Sequence, residues 1–361
     1  MQDVLKYLTW EITERGARII GCDEKFKGAM EIPSRLDGAA VVEIGKEAFS
    51  KRHSLKSVAI PDSVEVVDED AFFGCHGLKE LRLGRGIKKI GKDAFSWCDS
   101  LKSVVIPGSV EVVGEAAFAE CHGLKELRLG TGIKTIEDGA FAKCVSLKLV
   151  AIPDSVEVVG AAAFAECDGL EELRLGEGIK KIEIAAFCRC RSLKRVAVPD
   201  SVEDVGQLVF FACSELEELQ LGAGIKRIEK GAFSMCESLK SVVIPDSVEV
   251  VGDGAFLGCS GLKELRLGRG IKKIENTAFR KCSSLKSVVI PGSVEVVGEV
   301  AFFDCSELKE LQLGEGIKTI ENDAFRDCSS LRRVVLPSTL EKLARDAFDE
   351  RVDLVVDDDE R

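Results

Sequence analysis

Cysteine and histidine are the residues of this chain most able to do chemistry, and the cysteines are strictly spaced. Of 14 cysteines, twelve recur every 23 residues from Cys75 to Cys328. Such a set could hold metal, form disulfides or react as thiols. Zinc requires a close cluster of thiolates and imidazoles. No C-x-x-C pair occurs, and only His53, His76 and His122 are present. Cys75-His76 and Cys121-His122 lie two repeats apart, roughly 10 Å at the spacing of neighbouring strands and too far for one ion. Equivalent cysteines in register stand near bridging distance, but parallel side chains are poorly oriented for a disulfide. The twelve are therefore read as small buried thiols, the ordinary behaviour of free cysteine. Cys188-Arg189-Cys190 is the single local pair, and it marks Cys188 as an oxidation-sensitive spot.

Other chemistries find less support. Gly86-Ile87-Lys88-Lys89-Ile90-Gly91-Lys92-Asp93 imitates the start of a phosphate-binding loop. Asp93 stands where a Ser or Thr hydroxyl must reach magnesium, so the match fails on its chemistry. No Ser/His/Asp arrangement or nucleophile elbow occurs, and no catalytic set can be assembled. The reading is of a non-enzyme, with no cofactor and no metal.

A repeat positions these residues. Leucines fall every 23 residues from Leu55 to Leu331, and phenylalanines do so from Phe49 to Phe348. Constant spacing stacks each side chain on its equivalent in the next coil. In residues 101–118, alternation turns Leu101, Val104 and Ile106 inward and Ser103 and Val105 outward. Val110 and Val113 form a second inward pair. Residues 114–118 are expected to make a single α or 3₁₀ turn carrying Phe118 inward, held by packing because one turn does not stand alone.

Odd and even halves differ, so the unit is 46 residues. Odd halves place Ile-Pro-Asp/Gly-Ser-Val-Glu after the first strand; even halves place Leu-Gly-x-Gly-Ile-Lys. Proline fixes φ in one turn, and the paired glycines are expected to supply φ > 0 in the other. Glu65, Glu111 and their equivalents share a position with Lys88, Lys134 and theirs. One outer ladder should therefore alternate in sign, each opposite pair contributing about 0.2–1 kcal/mol.

The first-strand face alternates too. Even halves expose Glu80/Arg82, Glu126/Arg128, Glu172/Arg174 and Glu264/Arg266, two residues apart and able to pair. Odd halves expose Val105, Val243 and Val289. This face is read as striped, nearly neutral and the candidate protein-binding surface. Variation among repeats concentrates instead beside Ala-Phe, at Phe73, Trp97, Phe211, Leu257 and Phe303. These either pack under neighbouring turns or form an exposed apolar edge, which would be a second candidate interface.

Bulk properties bound the partners. A formal net charge of −12 and the lack of a long basic run make nucleic acid and anionic membranes poor partners. No apolar run approaches the roughly 18 residues that membrane insertion needs. Residues 1–16 carry an early Asp3 and no basic region or small-residue cleavage site. They do not resemble a signal peptide, so the chain as it stands is expected in the cytoplasm, or at the cell surface if a leader was removed. Residues 1–54 are expected to form an N-terminal cap and first divergent repeat, 55–339 the regular repeats, and 340–361 a C-terminal cap repeat. In the tail, Asp357 to Arg361 are expected to fray.

These motifs closely resemble the BspA-like, or Treponema pallidum-type, leucine-rich repeats. Cys98-Asp99-Ser100-Leu101 through Ile106-Pro107 to Ala117-Phe118 matches that family's pattern position by position. Even halves depart from it by replacing the usual proline with glycine, as at Gly84 and Gly130. The resemblance implies a leucine-rich-repeat solenoid, a right-handed superhelix of short parallel β-strands with single-turn helical segments. About 14 repeats of 23 residues are paired as 46-residue units. It also implies an interaction surface, since many members are surface proteins that bind host or partner proteins. The leading expectation is a protein-binding scaffold. The alternatives are an exported adhesin, or a consensus-like repeat protein without a native ligand.

Overall fold

The computed structural model describes residues 4–356, so the predicted fraying of Asp357 to Arg361 falls outside the described residues. The chain is a parallel β-solenoid, as the repeat predicts. It divides into two compact units, Met1–Ile179 and Lys180–Arg361.

In the first unit an antiparallel hairpin, Leu8–Thr13 with Gly16–Cys22, forms the start. Gly16–Cys22 then pairs parallel with Ala39–Ile44, and the two-residue strands Val66–Val67, Lys89–Ile90, Val112–Val113, Thr135–Ile136 and Val158–Val159 follow in register. On another side, Gly28–Glu31, Leu55–Ala59 and Glu80–Arg82 form one short sheet, and Ser103–Val105 pairs with Glu126–Arg128. Leu149–Ala151 pairs with Glu172–Arg174. The second unit repeats the plan with an unbroken run of first strands from Arg195–Val198 to Glu310–Leu313, and it closes with Arg333–Leu336 paired to Asp353–Val356.

Side-chain alternation holds residue by residue. Val104 is buried between exposed Ser103 and Val105. The core is a stack of rings. Successive phenylalanines from Phe49 to Phe164 lie 4.7–5.4 Å apart, nearly parallel. Those from Phe187 to Phe348 repeat this at 5.0–5.5 Å. Ladder thiols donate to a phenylalanine carbonyl 26 residues back, as Cys121 Sγ does to Phe95 O at 3.2 Å.

Two expectations need correction. Residues 114–118 are not a helical turn. The Ala117 and Ala119 amides bond within their own coil, to Gly114 and Ala116 carbonyls, while those of Phe118 and Glu120 reach Ala140 and Ala142 in the next coil. Ala116 and Glu120 have φ of 51° and 58°. Linked tight turns with two left-handed residues replace the helix because every second amide must point along the stack. The positions recur with residues that resist this region, including Leu208 at 55° and β-branched Val300 at 61°. The coil-to-coil bonds override local preference there.

At Gly86 and Gly132 the paired glycines serve close approach rather than positive φ, whereas Gly316 does take a φ of 132°. A Cβ on Gly132 would lie 2.0 Å from the Gly108 carbonyl oxygen, and one on Gly86 would lie 2.1 Å from that of Asp62. Proline coils therefore force glycine into the next coil. The Asp after proline adds an inter-coil cap, Asp62 Oδ1 accepting the Arg85 amide at 2.8 Å. Arg52, at the first ladder position, is half-buried and its Nε donates to the Cys22 carbonyl at 2.7 Å, so it closes the end of the cysteine row.

Candidate interaction surface

The first strands hold their outward side chains in rows because their register is exact. Ser103, Val104 and Val105 pair with Glu126, Leu127 and Arg128. One row of the first unit therefore reads Ala59, Arg82, Val105, Arg128, Ala151, Arg174 from coil to coil. In the second it passes Val243, Arg266 and Val289. Val105, Val243 and Val289 are 58, 59 and 55% exposed, large values for valine. Glu80, Arg82, Glu126, Arg128, Glu172, Arg174 and Arg266 are exposed as well.

Glutamate and arginine two residues apart were expected to neutralise each other. Arg174 reaches Glu172 at 3.6 Å, beyond hydrogen-bond length. Among the described residues, Arg82, Arg128 and Arg266 form no ion pair. On an exposed strand the entropy of two long side chains outweighs an attraction that water and salt screen.

A further row was missed in the sequence because it looked like repeat background. Lys56, Lys79, Lys102, Lys125 and Lys148 follow the ladder leucines directly. The backbone bonds them in sequence: Lys79 N–H donates to Lys56 O, Lys102 to Lys79, and Lys125 to Lys102. Lys148 pairs with Glu171 at 2.6 Å. Among the described residues the other four form no ion pair.

Elsewhere some ladders pair their charges from coil to coil. The second-strand ladder closes at Lys88–Glu65, 3.3 Å, and Lys318–Glu295, 3.2 Å. Lys46–Glu69 and Lys92–Glu115, at 2.9 and 2.8 Å, make a second ladder beside the turns. Lys88 and Lys92 of the phosphate-loop mimic thus each face a carboxylate.

The apolar edge resolves unevenly. Phe73, Phe211, Leu257 and Phe303 are half-buried, the Phe303 ring 5.3 Å from the Arg280 guanidinium. Trp97 is 40% exposed and edge-on to His122. His76 and His122 sit two coils apart, and Asp99 in the coil between bridges them, its oxygens 2.7 and 3.0 Å from their Nδ1 atoms. The recurrence of Asp99 at the histidine position signalled this in the sequence. Among the described residues no group of three His, Cys, Asp or Glu is placed to hold a metal ion. All ladder cysteines are free and buried, whereas Cys188 is half-buried. Burial pushes the thiols of Cys75 and Cys167 up to about 12, above the ordinary thiol range.

The profile of the BspA-type leucine-rich repeat region, in six copies, matches residues 42–171, 134–263 and 226–355. The chain belongs to the BspA-type leucine-rich repeat family. A leucine-rich repeat protein from Bacteroides ovatus is similar over 99% of this chain and 100% of its own, at 26% identity and a TM-score of 0.74. A leucine-rich cell surface protein from Faecalibacterium prausnitzii shares 24% identity over 94% of each chain, with a TM-score of 0.54. The pneumococcal vaccine antigen PcpA has the same fold at 17% identity, covering 96% of this chain and 98% of its own, TM-score 0.57. No curated protein matches the chain. In this BspA-type chain, as elsewhere in the fold, the repeat sets side-chain rows. No helix among the described residues is long and apolar enough to cross a membrane.

Proposed function

We propose that the chain is a non-enzymatic scaffold that binds another protein through the outward face of its first strands. Membership in a family whose fold commonly serves protein interaction supports this reading. The observation that carries it is the row in which exposed Val105 stands between Arg82 and Arg128, and exposed Val243 and Val289 stand on either side of Arg266, these three arginines forming no ion pair among the described residues. Apolar area beside unpaired guanidinium groups is the composition of interface centres, where arginine and large apolar contacts carry much of the binding energy. The competing edge offers Trp97, Ile184 and Met235 as exposed large apolar side chains, without a row of arginines beside them.

A pull-down with the full chain tests the face. Changing Arg82, Arg128, Arg174 and Val243 together to alanine is expected to leave folding intact, since all four are exposed. Captured partner should fall at least about tenfold, a loss of some 1.4 kcal/mol or more. Undiminished capture by the folded variant would remove the face from consideration.

A further inference from the structure

The lysine row changes the character of this face. We infer that the first unit's strand face takes an acidic, extended peptide segment of its partner, lying along the stack of coils with a carboxylate at about every third residue. The inference rests on the reading of the strand face as the binding surface and names the chemistry of what it binds.

Charge is the first argument. Like charges directly opposite on neighbouring strands destabilise a sheet. Other outward ladders in this unit set opposite signs together, as at Lys46–Glu69 and Lys92–Glu115. Lys56, Lys79, Lys102 and Lys125 instead stand in consecutive coils without an ion-pair partner among the described residues. Arg82 and Arg128 follow Lys79 and Lys125 by three residues, at the ends of strands Glu80–Arg82 and Glu126–Arg128. A chain of net charge −12 thus carries a strip in which basic residues outnumber the interleaved Glu80 and Glu126.

Shape is the second. A groove of about 930 Å³ runs beside this strip, lined by Arg82, Val105, Arg85, Pro61 and Pro107 among others. A smaller one of about 300 Å³ lies on the strand face itself, against Ser57, Ala59, Glu80 and Arg82. Both are open and Arg82 borders each; Asp62 also lines the first, and Glu31 and Glu80 the second.

Period is the third. Arginine recurs every second coil, roughly 9.6 Å at the spacing of parallel strands. An extended polyproline-like chain rises about 3.1 Å per residue and returns to the same face every three residues, about 9.3 Å. Carboxylates three residues apart can therefore meet Arg82, Arg128 and Arg174 in turn. Glu80, Glu126 and Glu172 interleave with the basic residues and would repel the continuous charge of a nucleic acid. Spaced carboxylates avoid them.

Fluorescence anisotropy with the full chain tests this. The labelled peptides are about ten residues long, enough to cross the strip at the polyproline rise. One carries Glu at every third position with Pro and Val between. Its controls replace Glu by Gln, replace Glu by Lys, or place the same glutamates two apart. A single-stranded oligothymidylate is the remaining ligand. The three-residue acidic peptide should bind most tightly and weaken at least about tenfold as salt rises from about 0.05 to about 0.3 M. Lys79→Gln, Lys102→Gln and Lys125→Gln together should weaken it at least about tenfold while circular dichroism stays unchanged. Equal or tighter binding by the Gln or Lys peptide overturns the acidic assignment and leaves the protein-binding face standing. Preference for the two-residue spacing overturns the register, and tighter binding of the oligonucleotide overturns the peptide. Failure of every ligand, or an undiminished affinity in the triple variant, overturns the inference; the pull-down judges the broader reading separately.

Discussion

Titrated upward through about pH 9 to 10, the protein is expected to unfold sharply, because its ladder thiols ionise freely only once the chain opens. Burial holds the thiols of Cys98, Cys144, Cys236, Cys282 and Cys305 well above the ordinary range. Those of Cys75, Cys167 and Cys259 are pushed up to about 12. Cys213 is raised for the same reason. The folded pKa lies above the unfolded one, so both states keep the proton below the unfolded value and the thiols add no slope there. Between the two values the unfolded chain binds fewer protons, and stability falls as pH rises. Each such thiol contributes about 1.4 kcal/mol per pH unit in that window, so nine together reach the order of 10 kcal/mol per unit. That rivals the whole stability of an ordinary domain, about 5–15 kcal/mol. Guanidinium unfolding at stepped pH measures it. Cys98→Ala and Cys144→Ala should each lower stability at neutral pH yet flatten the alkaline slope by about 1.4 kcal/mol per pH unit. A slope unmoved by either change would assign alkaline loss to other groups.

The adjacent pair Phe302 and Phe303 gives the second large effect. Phe302 is fully buried, stacked 5.0 Å from Phe279 and 5.2 Å from Phe325. Phe302→Ala leaves a ring-sized gap that coils bonded above and below cannot close, at a cost of about 3–5 kcal/mol. Phe303 is half-buried beside Arg280, and Phe303→Ala should cost about 1 kcal/mol or less. Because each repeat contacts only its neighbours, a break at Phe302 also loosens the coils on either side. Denaturant midpoints of the two variants measure the difference. Equal losses would mean that the phenylalanine ladder is not what couples the coils.

The architecture was legible because a solenoid writes its packing into a period. Leu, Phe and Cys each occupy one place in every coil, and their recurrence is the core. What escaped the sequence was set between coils rather than within one. Ala116 and Glu120 take left-handed φ because the Phe118 and Glu120 amides bond to the next coil, and no local residue type announces that. Gly86 and Gly132 suggested turn freedom, whereas their role is to let Asp62 and Gly108 carbonyls approach. On the surface, Glu80 and Arg82 shared a face as predicted, but sharing a face did not make an ion pair. The lysine row was in plain view and lacked contrast: a residue repeated in nearly every coil reads as scaffold until its neighbours are seen to offer no counter-charge.

The central claim is that partner protein meets the first-strand face rather than the Ala-Phe edge, and site-directed photocrosslinking separates the two most directly. A photoreactive side chain is placed at Val105, at Val243 or at Trp97, all exposed, and the full chain is irradiated with its captured partner. Crosslinks from Val105 or Val243 with none from Trp97 are the predicted result. Crosslinks from Trp97 alone would contradict it and move the interface to the edge of the turns.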